Sequence, residues 1–220
     1  MGVYWINLDR STERRENMLK VLKDPVFDGM TKHRVVAIDG RNPEVQQKVK
    51  SWINVPMTDS IQEYACLFSH LKALKQFSKS SYSMALILED DACLDFKPYW
   101  QTTIQECIRN APEDWELLQL SYISDIPKKL YTPTKVFTGA LSYVVNKKGV
   151  LRFLKQFHLD HKHVADYVLY DQMKCYTYQY PLFIPTLKDS ELHKDHIQKF
   201  HAPNKRKMEA YLKGTFPAQG

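Results

Sequence analysis

The sequence has 220 residues, enough for one sizeable hydrophobic core. Its composition, 44% hydrophobic and 25% charged with only 7 glycines, is typical of a globular chain and excludes collagen-like or low-complexity proteins. The net charge of +6 is modest, and aromatic residues do not alternate with lysine and arginine in a stripe. We therefore expect no nucleic-acid partner.

An apolar run of β-forming residues, VYWINL, predicts a first strand over 3–8, and Ser11 is a plausible N-cap for the helix that follows. HRVVAID predicts a second strand over 33–39, and residues 43–52 are weakly helical. Apolar residues at helical spacing predict an amphipathic helix over 61–77. The first third of the chain therefore alternates strands with helices.

The continuous apolarity of MALILED predicts a central strand over 84–90, buried on both faces. The later predicted elements are a helix over 99–110, a strand over 115–123, a β-like segment over 136–146, a helix over 147–157 with one tolerated glycine, a helix over 165–176 and an extended segment over 179–185. This alternation favours an α/β fold with a largely parallel sheet.

The chain is predicted to form one domain over 1–190, followed by a basic segment over 191–220 that packs on the domain or is partly disordered. Peripheral contact with acidic lipid headgroups is an alternative role for that segment. No signal peptide and no apolar stretch of 18 residues is present, so we expect a cytoplasmic protein, or else the catalytic domain of a longer chain. Four cysteines without a C-x-x-C pair are expected to be free buried thiols: Cys66, Cys93, Cys107 and Cys175.

Three acids, Glu89, Asp90 and Asp91, directly follow the predicted central strand. Because ligands gather at the carboxyl ends of parallel strands, we expect these acids to share one rim with Asp9 and Asp39. Like charges at this density repel, and oxygen ligands suit Mg²⁺ and Mn²⁺, so the triplet predicts a divalent cation site. A solvated turn or a set of helix caps is the alternative interpretation.

Five motifs occur in an order and spacing that resembles glycosyltransferase family 25: VYWINLDRSTERRENM, AIDGRN, EYACLFSHLKALKQF, ALILEDDACL and GALSYVVNKKGVLRFL. That family includes bacterial lipooligosaccharide galactosyltransferases and collagen hydroxylysine galactosyltransferases. The resemblance, over roughly residues 3 to 190, implies a GT-A type (Rossmann-like) fold with a central, mostly parallel sheet flanked by helices. It also implies transfer of a hexose, first of all galactose, from a UDP-sugar with inversion. The acceptor would be a hydroxyl of a glycan, a lipid-linked glycan or a glycosylated protein.

The resemblance further implies Mn²⁺ (or Mg²⁺) at a D-x-D-like motif, bridging the two phosphates of the donor. Here that motif is the acid triplet, with glutamate in first position. Asp91 is the expected metal ligand, and Glu89 or Asp90 is expected to contact the sugar nucleotide or a metal-bound water. Many such enzymes complete the site with a late histidine, for which His193 or His196 is the candidate; a solvated histidine is the alternative.

The loop after the first strand is where GT-A enzymes hold the nucleobase and ribose, so the resemblance assigns Asn7, Asp9 and Arg10 to the donor. Arg10 and Arg14 carry guanidinium groups that match the oxygens of a diphosphate. A charged helix start with its arginines in solvent is the alternative interpretation.

Asp39 and Gly40 end the second predicted strand and are interpreted either as donor contacts or as a simple turn. Ser69 and His70 lie on a helix face that looks buried, so a structural role competes with the donor contact that the family pattern implies. Gly139 opens a strand that in this family lies beside the transferred sugar, where a glycine permits close approach.

An inverting transferase needs one carboxylate to accept the proton of the attacking hydroxyl. Asp166 matches the family position and is the expected base, with a surface helix residue as the alternative. Asp171 points to another face of the same predicted helix, and Asp125 is a further candidate. The alternatives for function are a degenerate nucleotide-sugar-binding module, or a transferase using UDP-glucose or UDP-N-acetylglucosamine.

Overall fold

A seven-stranded sheet runs through the protein, with helices packed on both of its faces. The computed structural model describes residues 1–57, 59–122, 126–134, 139–159, 164–186 and 202–216. No helix among these residues is both long enough and apolar enough to cross a bilayer.

The strands of the main sheet are β1 (Gly2–Asn7), β2 (Thr31–Val36), β3 (Met84–Glu89), β5 (Leu117–Gln119), β6 (Tyr131–Pro133), β7 (Ser142–Asn146) and β8 (Cys175–Tyr178). A small second sheet pairs β4 (Ala92–Cys93) with β9 (Ile184–Pro185) in antiparallel register. The helices are α1 (Thr12–Val21), α2 (Pro43–Trp52), α3 (Ile61–Ser78), α4 (Ile104–Arg109), α5 (Lys147–Gln156), α6 (Ala165–Gln172) and α7 (Ala202–Thr215).

The strand order of the main sheet is β2-β1-β3-β7-β5-β8-β6. Strands β1, β2, β3, β5 and β8 run in one direction, while β6 and β7 run against them. The predicted α/β fold with a mostly parallel sheet is therefore confirmed. The carboxyl ends of β1, β2 and β3 lie side by side, which places the ends of the first three predicted strands on one edge.

Alternation along the strands divides the core into two layers. In β3, Ala85 and Ile87 face the side covered by α3, α5 and α6, while Leu86 and Leu88 face the side covered by α1 and α4. All four side chains are fully buried. The prediction of a central strand buried on both faces is correct.

Helix caps explain where several helices begin. Ser60 and Glu63 form a reciprocal capping box at the start of α3, and the Asn42 side chain accepts a hydrogen bond from the first turn of α2. Ser11 does stand at the N-cap position of α1, but its side chain makes no cap hydrogen bond.

Several predicted boundaries differ from the structure. The helix predicted over 165–176 ends at Gln172, and the following residues, Cys175–Tyr178, form β8. The strand predicted over 33–39 begins at Thr31 and ends at Val36, and the helix predicted over 99–110 is confined to Ile104–Arg109. Short apolar stretches fit either a helix or a strand by periodicity, and neighbouring strands decide which forms. Of the extended segment predicted over 179–185, only Ile184–Pro185 is strand, and β6 was not predicted.

The basic segment predicted over 191–220 contains α7. Met208 and Leu212 on this helix are buried together with Phe96, Tyr122 and Ile184, next to the small sheet.

Gly149 is required by packing in α5 rather than merely tolerated. A Cβ at this position would lie 2.5 Å from the Cβ of Glu116. We expect Gly149→Ala to lower the free energy of unfolding by about 1–3 kcal/mol, because overpacking outweighs the gain in helix propensity. Urea unfolding measures the change. Gly214→Ala in α7 is the matched control, since a Cβ there meets no atom within 4 Å; it should be neutral or slightly stabilising, and equal losses in both variants would contradict the packing argument.

Candidate active site

A pocket opens at the carboxyl ends of β1, β2 and β3, bounded by α1 and α3. It encloses about 640 Å³ of space, including its open mouth. Nine of the residues predicted to lie at the donor site line it: Asn7, Arg10, Arg14, Asp39, Gly40, Ser69, His70, Glu89 and Asp90. The topology therefore brings together residues that are up to 83 positions apart in sequence.

Asn7 connects the acid triplet to a set of arginines. Its side chain is 1% exposed, and its Nδ2 donates a 2.6 Å hydrogen bond to Oδ2 of Asp90. Its Oδ1 accepts hydrogen bonds from Nη2 of Arg34 (2.8 Å) and Nε of Arg15 (3.2 Å). Asn7 thus fixes the orientation of the Asp90 carboxylate while its own polar atoms are occupied within the protein.

Arg14 bridges two of the three acids. Its Nε lies 3.0 Å from Oδ1 of Asp90, and its Nη2 lies 2.5 Å from Oδ2 of Asp91. The other oxygen of Asp91, Oδ1, is buried and receives no hydrogen bond from the described residues. Burial raises the pKa of Asp91 to about 7, against the favourable charge of Arg14, and the nearby Glu89 and Asp90 raise it further.

This arrangement fits a hard divalent cation. Oδ1 of Asp91 is a buried oxygen that receives no hydrogen bond from the described residues. The guanidinium of Arg14 balances only part of the negative charge of the three acids, and a bound divalent cation would offset the rest of their repulsion. Magnesium-type sites commonly use one or two carboxylates and take their other ligands from phosphates and water. Thr186 donates a 2.9 Å backbone hydrogen bond to the carbonyl oxygen of Asp91. His193 and His196, predicted to complete the site, lie outside the described residues.

Without metal, Asp91 should make stability depend on pH. Its pKa in the folded protein is about 7 against an ordinary 3.8, so between these values the folded state holds a proton that the unfolded chain has released. The free energy of unfolding is therefore expected to fall as pH rises across that range. Asp91→Asn should remove this part of the slope, which urea unfolding of both proteins at several pH values measures. Identical slopes would contradict the expectation.

His70 and Glu89 form the opposite wall of the pocket. The His70 ring is fully buried, with Nδ1 3.0 Å from the hydroxyl of Tyr143 and Nε2 3.2 Å from Oε1 of Glu89. Burial acts to raise the pKa of Glu89, but the hydrogen bond and charge of His70, with the charge of Arg14, lower it overall. Glu89 is therefore held as a carboxylate that faces the pocket.

The turn after β2 forms the third wall. Oδ2 of Asp39 accepts a 2.7 Å hydrogen bond from Nε of Arg10, while Oδ1 caps the turn by accepting from the Arg41 amide. A Cβ on Gly40 would lie 3.0 Å from the backbone of Gln62, so this glycine lets the turn pack closely on α3. Ser69 accepts a hydrogen bond from the Ile38 amide (2.9 Å), which ties the same turn to α3.

Asp9 lies outside the pocket. Its side chain is 68% exposed, pairs with Arg34 (2.7 Å), and faces a neighbouring hollow that Trp52 also lines. Of the two charged residues in the loop after β1, Arg10 lines the pocket and Asp9 lies at its outer margin.

Gly139 and Asp166 are joined by a hydrogen bond, and neither residue lines the pocket. Oδ2 of Asp166 accepts a 2.8 Å hydrogen bond from the Gly139 amide, and Gly139 has a φ of 106°, a conformation that favours glycine. The Gly139 carbonyl accepts hydrogen bonds from Tyr170 and Gln119. Asp166 is 7% exposed, and burial raises its pKa although backbone amides lower it. Asp171 is exposed, and Asp125 lies outside the described residues.

Three residues of this network were not predicted from sequence: Arg15, Arg34 and Tyr143. Arg34 reaches the site because β2 pairs with β1 in parallel register, opposite Trp5. A charged residue inside the strand predicted over 33–39 was the available signal, since such a side chain needs a partner nearby.

The comparisons with known proteins agree with this architecture. Residues 1–125 match the family described as Glycosyltransferase family 25 (LPS biosynthesis protein). Procollagen galactosyltransferase 2 of Mus musculus is 26% identical over 155 residues, which cover 64% of this chain. The chain spans only 23% of the length of that mouse protein.

Two solved structures are similar in fold. The mannosyltransferase PcManGT from Pyrobaculum calidifontis, in complex with GDP-Man and Mn²⁺, is 11% identical with a TM-score of 0.50, covering 96% of this chain and 69% of that chain. A glycosyltransferase involved in glycosylation of the major capsid of PBCV-1 is 12% identical with a TM-score of 0.48, covering 95% and 98%. The chain has the fold of GT-A glycosyltransferases, and because the family match covers more than half its length, it belongs to glycosyltransferase family 25.

Proposed function

We propose that this glycosyltransferase moves a hexose, galactose in the first instance, from a UDP-sugar to a hydroxyl of a glycan, lipid-linked glycan or glycosylated protein, with divalent metal assistance and inversion. The galactosyltransferase name of the mouse relative supports galactose. The observation that carries the proposal is the pairing of acids with guanidinium groups in one pocket at the carboxyl ends of β1, β2 and β3.

In this proposal the pocket holds the nucleotide diphosphate. Arg10 lies at the mouth, with its side chain 36% exposed, and is available to exchange its partner Asp39 for phosphate oxygens. Glu89 faces the pocket and offers carboxylate oxygens to a ribose hydroxyl or to water. Asp91, with Asp90 beside it, would hold Mn²⁺ or Mg²⁺. When bound, that ion neutralises charge developing on the departing UDP.

We also propose Asp166 as the base that accepts the proton of the acceptor hydroxyl. Its raised pKa brings it closer to the range in which a carboxylate exchanges protons near neutral pH. Its hydrogen bond to Gly139 gives the carboxylate a fixed orientation, and Glu89 is near enough to contribute to its electrostatic environment. His193 remains a proposed metal ligand on sequence grounds.

A donor screen tests the proposal. Thermal unfolding is measured with UDP-galactose, UDP-glucose, UDP-N-acetylglucosamine and GDP-mannose, each with and without Mn²⁺. We expect UDP-galactose with Mn²⁺ to give the largest stabilisation, since a ligand that binds only the folded state raises its stability. Release of UDP from the preferred donor then reports turnover. Binding without any release, over a panel of acceptors, would favour the degenerate binding module instead.

Arg10→Ala is expected to weaken the affinity for free UDP by about tenfold, because a charge-assisted hydrogen bond to phosphate contributes about 1.5 kcal/mol or more. Calorimetry of the variant and the wild type gives the ratio. The matched control is Arg109→Ala, at an exposed position at the end of α4, which should leave the affinity unchanged. Unaltered affinity in Arg10→Ala would assign Arg10 to the structure of the loop.

A further inference from the structure

A second set of potential metal ligands lies on the α3 wall of the pocket. The Cys66 sulfur, a ring nitrogen of His70 and a carboxylate oxygen of Glu89 all lie within 4.8 Å of one another. Among the residues that the structure describes, this is the trio of histidine, cysteine and acidic side chains whose ligand atoms converge in this way. All three residues line the pocket, so an ion has a route from solvent.

The positions of these residues follow from the fold. Cys66 and His70 are four residues apart on α3 and therefore share one helix face, which packs toward the end of β3. Glu89 is the last residue of β3 and points into the gap between strand and helix. Helix periodicity and the end of a central strand together place sulfur, nitrogen and oxygen around one point.

The second layer of contacts orients the histidine. Nδ1 of His70 is 3.0 Å from the Tyr143 hydroxyl, so a proton on Nδ1 leaves Nε2 as the free ring nitrogen, 3.2 Å from Glu89. A hydrogen bond to the nitrogen that does not bind is the usual support of a histidine ligand. Without metal, the other tautomer places the proton on Nε2, where it donates to Glu89 while Nδ1 accepts from the Tyr143 hydroxyl; a cation bound at Nε2 would select the tautomer with the proton on Nδ1.

The chemistry of this trio differs from that of the acid triplet. Thiolate and imidazole select soft or borderline ions such as Zn²⁺, whereas carboxylates alone suit Mg²⁺ and Mn²⁺. Around a tetrahedral zinc ion, ligand atoms lie about 3.3–3.8 Å apart. The Nε2 to Glu89 distance of 3.2 Å is already close to this range, and the remaining spacings, at most 4.8 Å, need only side-chain rotation.

We infer that Cys66, His70 and Glu89 form a site for a thiophilic divalent cation of the zinc type, separate from the proposed site at Asp91. Three protein ligands leave the fourth position open toward the pocket. Glu89 belongs to this trio and also to the proposed donor site. A cation bound to the trio would therefore occupy one wall of the donor site, and Zn²⁺ should compete with the nucleotide. This second statement depends on the proposed function, whereas the metal site itself does not.

Cobalt spectroscopy tests the site without nucleotide. Co²⁺ added to the metal-free wild type should give a thiolate-to-metal charge-transfer band and the intense visible bands of four-coordinate cobalt. Cys66→Ser should lose the charge-transfer band, while Cys93→Ser, a buried cysteine elsewhere, should keep it. A folded wild type without this band, or a band that survives in Cys66→Ser, overturns the inference.

Affinity and competition give two further readouts. Tyr143→Phe should weaken Zn²⁺ binding by about tenfold, since loss of an outer hydrogen bond to a ligand typically has that effect. Zn²⁺ binding unchanged in both Tyr143→Phe and His70→Gln would contradict the site. If cobalt gives the charge-transfer band but Zn²⁺ leaves UDP affinity unaltered, the metal site stands and the placement of the donor in this pocket fails.

Discussion

Asp91→Asn should abolish the Mn²⁺-dependent part of UDP binding, a loss of more than about 100-fold in metal-assisted affinity. The amide retains the size of the side chain and its contact with Arg14 is weakened, but it removes the charge and one of the two anionic oxygens that a hard cation needs. Calorimetry of UDP with and without Mn²⁺ measures the effect. The fold should survive, because the buried Asp91 charge is itself a cost to the folded state.

Asp95→Asn is the matched control for this experiment. Asp95 lies four residues further along the chain, is 55% exposed, and pairs with Lys205 outside the pocket. Its amide variant should bind UDP and Mn²⁺ as the wild type does. Undiminished metal dependence in Asp91→Asn would remove Asp91 as a ligand and leave Asp90 and Glu89 as the candidates.

Asp166→Asn should leave UDP and Mn²⁺ binding intact and slow sugar transfer by about 100-fold or more, the usual contribution of a general base. The amide oxygen can still accept the hydrogen bond from Gly139, so the glycine turn is expected to persist. The comparison of initial transfer rates at saturating donor, together with UDP affinity by calorimetry, separates loss of chemistry from loss of binding.

The control is Asp171→Asn, on the exposed side of α6 and beside a different hollow that Met173 and Lys174 line. It should transfer sugar at the wild-type rate. Slow transfer in Asp171→Asn with a normal rate in Asp166→Asn would exchange the two roles. Normal rates in both variants would place the base elsewhere, with Asp125 next to be tested.

Local patterns predicted the parts of the fold that depend on short stretches of chain. The observed bounds of α2 are those predicted, residues 43–52. The strand β3 was predicted from a run of apolar residues, which pack alternately into the two layers of the core. The boundary at Met173 was not predictable in the same way, because DYVLYDQM and CYTY carry similar apolar content. Pairing of β8 with β5 decides the second stretch, and that is a contact between residues 117–119 and 175–177.

The sequence predicted which residues lie at the site only where it predicted the end of a strand. The rule that ligands gather at the carboxyl ends of strands placed Asp9, Asp39 and Glu89 on one edge. The structure brings Asp39 and Glu89 into one pocket, whereas Asp9 lies outside it with its side chain 68% exposed. The direction in which each side chain points depends on partners that a single sequence does not reveal. The Asn7 side chain is held by Asp90 and Arg34, and Arg34 lies on β2 two positions before Val36, the residue that pairs with Asn7.

The strand order has a consequence for biosynthesis. β3 is paired with β1 on one side, but its other edge waits for β7, which begins at residue 142, 53 residues after β3 ends at residue 89. At about 5–20 residues per second, the ribosome takes about 3–10 s to supply that partner. During this interval the unpaired edge of β3, whose first five residues are all apolar, is a template for association with other nascent chains. A chain that stops before residue 142 carries every residue that lines the pocket, yet it leaves this edge of β3 unpaired, so we expect it to associate more readily than the full chain.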